Sequence, residues 1–193
     1  HINLDKSKKN KKYIILIFII IIFSTSKYHL RYNVERKFLD IEETNKHSAI
    51  QANEIHSKLR YLKWITHNED PTKEIDLIKV ALTKIESDER KKMIITHYQF
   101  FSLLLDKNLN ILNRWYLHGD NTHPTLNHKY FKIYKDMANK NLEKNEVKVI
   151  YLLGSDTKYF FRLLKNTFND LCFKDNFIIE NKFSYHEIID CKK

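Results

Sequence analysis

A chain of 193 residues has room for one domain and an anchor, and a hydrophobic content of 42% excludes wholesale disorder. Its two glycines, Gly119 and Gly154, exclude both a dinucleotide-binding G-x-G-x-x-G and a phosphate loop. The net charge of +10 is concentrated at one end, because residues 1–37 carry nine Lys/Arg against Asp5 and Glu35. The rest of the chain is too nearly neutral for a phosphate-binding surface, so no nucleic-acid partner is expected.

Residues 1–12 form a basic arm. The run Tyr13 to Phe23 that follows is wholly apolar, and no charge interrupts Lys12 to Lys27. The leading reading is a transmembrane helix over 13–30, in which Lys12 and Lys27 snorkel to compensate for a short span. A cleaved export signal ending at Ser24-Thr25-Ser26 and a buried core helix are the alternatives. Both export readings keep the basic arm, 1–12, in the cytoplasm and put residues 31–193 outside. The expected location is the bacterial inner membrane, with membrane lipids as partners. The sequence opens on His1 rather than Met, which reads as the end of a longer chain.

Further along, helical pieces are expected around Val34–Glu43 and Ala49–Leu59, and a first strand at Tyr61–Thr66. Asp70-Pro71 supplies an N-cap with proline at the first helical position. Ile75, Ile78, Ala81, Leu82 and Ile85 then recur at helical spacing to Ser87. Met93-Ile94-Ile95 predicts a buried strand, and the cluster Phe100, Phe101, Leu103, Leu104 a short helix. After irregular residues 108–125, Tyr130, Phe131, Tyr134, Met137, Ala138 and Leu142 share a helix face. Val147–Leu153 is a buried strand, Phe160 to Phe168 a helix, and Tyr185–Cys191 the last strand. This order predicts an α/β fold: an N-terminal transmembrane helix followed by a small, mostly parallel sheet covered by helices.

Chemistry is sparse. Arg114-Trp115-Tyr116 joins a planar cation to two aromatics, a set suited to a sugar face or a lipid phosphate. The plainer reading packs Trp115 in the core and pairs Arg114 with a carboxylate. His118, Asp120, His123 and His128 are the densest potential ligand group, but their spacing fits no metal motif. We expect no metal and no cofactor, and keep His118 with Arg114 and Trp115 as binding candidates. The turn Gly154-Ser155-Asp156-Thr157 follows a strand, where anions often bind, but Asp156 would occupy the helix cap itself. No G-x-S-x-G elbow marks a nucleophile. Cys172 and Cys191, the only cysteines, are expected to form a disulfide in an oxidising compartment.

The succession Met93-Ile94-Ile95-Thr96, His97 to Leu104, Asn113-Arg114-Trp115-Tyr116, His123-Pro124, a helix and Val147 to Tyr151 resembles a family in its layout. That family is the bacterial polytopic glycosyltransferases of the dolichyl-phosphate-mannose type (GT-C architecture), in their C-terminal extracytoplasmic domain. The resemblance implies part of a lipid-linked-sugar glycosyltransferase, with a lipid-linked sugar and a glycan acceptor as partners. In that family catalysis rests on acidic residues of an early extracytoplasmic loop between membrane helices. No such loop is in this sequence, so no residue here is assigned as catalytic. Arg114 alone matches an arginine that recurs after the strand-helix unit. The alternative is a non-enzymatic, membrane-anchored envelope domain for binding or assembly.

Overall fold

The computed structural model describes residues 4–34, 46–66, 70–113, 116, 123–154 and 157–191. The expected helix around Val34–Glu43 lies almost wholly outside them. The described chain falls into two compact units. One holds helix α1 (Leu4–His29), which runs on into a π-helical turn, Leu30–Val34, and a 3-10 turn at Lys46–Ser48. The section Lys11–Tyr32 is long and apolar enough to cross a membrane. Every side chain from Tyr13 to Phe23 is exposed, so this section of α1 is apolar all round and has no polar face to turn to water. That excludes the core-helix reading. An anchor and a signal sequence share this form.

The second unit is a sheet between two layers of helix. Its elements are β1 (Ile50–Gln51), β2 (Lys63–Trp64), α2 (Pro71–Ser87), β3 (Lys92–Thr96), α3 (Phe101–Leu105), α4 (Phe131–Lys144), β4 (Val149–Leu153), α5 (Thr157–Thr167), β5 (Cys172–Ile179) and β6 (Phe183–Ile189). The main sheet has the order β3-β4-β6-β5. Here the expected "mostly parallel" sheet needs correction. The β3–β4 pair is parallel, whereas β4–β6, β5–β6 and the small β1–β2 ladder are antiparallel. The cause is a strand absent from the sequence reading: β5 turns back through Asn181 (φ 57°), and the returning β6 inserts between β4 and β5. Asparagine tolerates this left-handed conformation at little cost, which is why it serves in tight turns.

Strand periodicity sorts side chains between the two cores. Ile94, Val149, Tyr151, Leu153 and Phe183 face a core completed by Ile75, Ile78, Ala81, Leu82 and Ile85 of α2. Met93, Ile95, Ile150 and Leu152 face a second core filled by Ala138 and Leu142 of α4 and by Phe160, Leu163 and Leu164 of α5. Asp70 caps α2 by accepting from Thr72 N at 2.9 Å, with Pro71 at the first helical position. Its other end is held by the buried Lys92, whose Nζ donates to Ile85 O at 2.7 Å and to Asp88 O. Residues 49–59 do not form the expected helix. They make two 3-10 turns, Ala52–Glu54 and Ser57–Leu59, that bury Ala52, Ile55 and Leu59 against α2's core.

The two-core arrangement makes a direct stability prediction. Ile94→Ala and Ile150→Ala, each removing a fully buried side chain on opposite faces of the sheet, should each cost about 2–5 kcal/mol. Ile133→Ala, on the exposed side of α4, should stay within about 0.5 kcal/mol. Urea unfolding of the full chain in detergent, followed by circular dichroism, measures all three.

Candidate functional site

Alternation along β6 places Ser184 and His186 on the same face of the sheet as Leu152 and Ile150, their partners on β4. On the other side, Ser184 lies opposite Phe177 and His186 opposite Asp175, both on β5. Two rows therefore cross this face, Met93–Ile150–His186–Asp175 and Ile95–Leu152–Ser184–Phe177. Each row runs from apolar residues on β3 and β4 to β6 and the edge strand β5. The polarity is confined to the hairpin.

Three of these side chains are hydrogen-bonded in line. Asp175 Oδ1 is 2.7 Å from His186 Nδ1, and His186 Nε2 is 3.0 Å from Ser184 Oγ. A carboxylate can only accept, so Nδ1 carries the imidazole proton and Nε2 accepts from the Ser184 hydroxyl. His186 is fully buried, between the rings of Phe161 (5.2 Å) and Phe177 (6.2 Å). Burial lowers its pKa and outweighs the opposing effect of Asp175, which keeps the imidazole neutral. Lys165 Nζ stands 3.8 Å from Asp175 Oδ2 and balances the charge at the outer end.

In front of Ser184 opens a cavity of about 600 Å³. Phe161 and Phe177 give it apolar walls, and Thr157, Lys158, Arg162 and Glu180 add polar groups. Lys158 and Arg162 come from the first turns of α5, so one helix supplies both cations and the Phe161 wall, while Phe177 comes from β5. Arg162 also borders a second cavity, of about 270 Å³, beside His123, Tyr159 and Asn166. There His123 Nε2 is 2.7 Å from the Tyr159 hydroxyl.

At the carboxyl end of β4, Gly154 is required by contact rather than by backbone angle. A Cβ there would lie 2.6 Å from Phe160 Cε2 and 3.2 Å from His97 Cδ2. The His97 ring packs tilted against Phe160, centroids 4.8 Å apart, and its Nδ1 is buried without a hydrogen-bond partner among the described residues. Near the small β1–β2 ladder, Glu74 accepts from Trp64 Nε1 at 2.8 Å and from the Tyr98 hydroxyl at 2.6 Å, which ties that ladder to α2.

Arg114, Trp115 and His118, the binding candidates of the sequence, lie outside the described residues, as do Asp120, Ser155 and Asp156. His128 serves locally: its Nδ1 accepts from Tyr130 N at 3.3 Å just before α4. Among the described residues no group of three or more His, Cys, Asp or Glu side chains gathers as a metal site. Cys172 and Cys191 are disulfide-bonded, with Cα atoms 5.2 Å apart, and join the start of β5 to the residues after β6. Sequence reading missed Asp175, Ser184 and His186. The alternation Ser184-Tyr185-His186 was visible, but its acidic partner appears only once Glu180-Asn181-Lys182 is read as a hairpin turn.

The class these features define is a three-layer α/β domain following an apolar helix of membrane-spanning length. No protein-family model matches the chain, and no curated protein or solved structure is significantly similar to it.

The buried histidines set the pH response. Burial lowers the pKa of His97, His123 and His186 below the ordinary 6.5. The unfolded chain therefore takes up protons first as pH falls. The stability these groups contribute is complete above about 6.5 and is lost as pH drops through their folded values. The urea midpoint of the full chain should fall between pH 7.5 and 5. A flat or rising midpoint would contradict the neutral, buried assignment.

Proposed function

We propose that the chain is an extracytoplasmic α/β domain held in the bacterial cell membrane by α1, with its basic arm in the cytoplasm. One conjunction carries the reading: a lysine-flanked apolar helix is followed by a domain whose disulfide joins the start of β5 to Cys191, just past β6. Positive charge beside a spanning helix is retained on the cytoplasmic side. Disulfides persist in compartments that oxidise them. The two observations are independent, and each supports the extracytoplasmic reading.

Within that frame we propose that the domain serves a lipid-linked-sugar glycosyltransferase, helping to shape the side that receives the glycan acceptor. The support is the strand-helix layout from Met93 to Tyr151 and the arginine at position 114. Membrane lipids, a lipid-linked sugar and a glycan acceptor would be its partners. Catalysis of sugar transfer would rest on carboxylates other than those of the described domain.

Alkaline phosphatase fused after Lys193 should be active in cells, and a cytoplasmic reporter at the same point inactive. The reverse pattern would overturn the topology. In exported protein, peptide mapping without reductant should recover Cys172 linked to Cys191. Replacing both by serine should cost about 2–4 kcal/mol of stability. For the transferase reading, deleting residues 46–193 in the parent cell should truncate an envelope glycan. An unchanged glycan together with loss of an envelope complex would favour an anchored assembly domain instead.

A further inference from the structure

The line Asp175–His186–Ser184 has the geometry that turns a serine into a nucleophile. Such a site is recognised by hydrogen-bond distances and roles rather than by position in sequence. The acid orients the imidazole through Nδ1 at 2.7 Å, Nε2 faces the hydroxyl at 3.0 Å, and Ser184 is one of the residues lining a cavity. We propose that Ser184 is the nucleophile of an acyl-ester hydrolase site on the β5/β6 hairpin, taking esters whose aliphatic acyl chain lies against Phe161 and Phe177.

The step balances with water as the only co-reactant. Ser184 Oγ attacks the ester carbonyl while His186 Nε2 takes the hydroxyl proton, giving a tetrahedral intermediate. The bond to the alcohol oxygen breaks, His186 returns the proton to that oxygen, and the acyl group remains on Ser184. Water then attacks the acyl-serine with His186 again as base, releasing the carboxylic acid and restoring the hydroxyl. The negative oxygen formed at each stage needs a positive group. Arg162 lines the same cavity and makes no ion pair among the described residues, and Lys158 stands one turn away on α5.

Several features suit this role beyond holding the hairpin in register. Ser184 is 1% exposed and lines the cavity, which is therefore the route the proposal assigns to a reagent. His186 is shielded from water between two phenylalanine rings, which keeps the base neutral. Asp175, at the edge of the sheet, is held both by His186 and by the neighbouring Lys165. A register-locking network needs only the hydrogen bonds. The cavity that Ser184 helps to line is the additional element.

The test uses the full chain in detergent and an alkyl fluorophosphonate, with folding checked by circular dichroism. Labelling should reach one adduct per chain, map to Ser184 and disappear in Ser184→Ala. The labelling rate should rise with pH as His186 loses its proton, with its midpoint below 6.5. Asp175→Asn should slow labelling at least about tenfold, since the acid sets the tautomer and orientation of the imidazole. p-Nitrophenyl octanoate should be hydrolysed faster than p-nitrophenyl acetate, as the apolar walls require. Folded wild-type protein that stays unlabelled overturns the proposal, and so does labelling that persists in Ser184→Ala. Neither result bears on the side of the membrane the domain occupies.

Discussion

The pairing of β4 with β6 is the interaction on which the rest of the domain depends. All five residues of β4, Val149 to Leu153, are buried, and both faces of the strand lie in core. A strand in that position has no water available to its backbone, so both edges need a partner. β3 satisfies one edge in parallel and β6 the other in antiparallel register, Val149 opposite Glu187 through Leu153 opposite Phe183. Because β6 occupies that place, β5 is pushed to the rim. Its Lys174, Asp175 and Asn176 suit an edge strand, where charge discourages pairing with other chains. At the opposite rim, Ile94 N donates to Leu109 O at 3.1 Å, so a loop covers part of β3's free edge.

The same topology decides where buried polarity can be sustained. His186 is fully buried, a position that is costly unless both ring nitrogens find partners. Placed opposite Asp175 and two residues from Ser184, it has both. A comparable solution holds the far end of α2. There burial pushes the Asp88 carboxyl up, but donation from Arg90 and from the Tyr151 hydroxyl at 2.6 Å holds it well below the usual carboxylate range. Arg90 continues to Glu187 at 3.1 Å, which ties α2's end to β6. Strand β6 is thus fixed from one face by Arg90 and from the other by the histidine. Rigid support on both faces is what a positioned side chain such as Ser184 needs.

How much of this the sequence disclosed follows from how strongly each element carries its period. α2 was legible because Asp70-Pro71 and a clean apolar stripe state its start and buried face. β4 was legible because a fully buried strand reads as an unbroken apolar run. β5 was not: at the rim, the segment Cys172 to Ile179 alternates only partly, and its charged residues resemble a loop. Missing β5 led directly to the expectation of a mostly parallel sheet. Residues 49–59 carry helical spacing at Ala52, Ile55 and Leu59, yet those side chains reach the core from 3-10 turns. The Asp175–His186–Ser184 line was illegible for a related reason. Its members gain meaning only across the Asp175–His186 rung, and cross-strand neighbours leave no mark on sequence spacing. Glycine, by contrast, was informative by scarcity. Gly154 sits where Phe160 and His97 leave no space for a side chain.

Strand β6, lying between β4 and β5, holds the sheet together. Amide hydrogen–deuterium exchange on the full chain, resolved by peptide, tests it most directly. Peptides covering Val149–Leu153 and Phe183–Ile189 should be the slowest to exchange and should open together, with the edge strand Cys172–Ile179 opening sooner. Residues 183–189 exchanging as fast as residues 123–130, while 149–153 stay protected, would contradict the central place of β6.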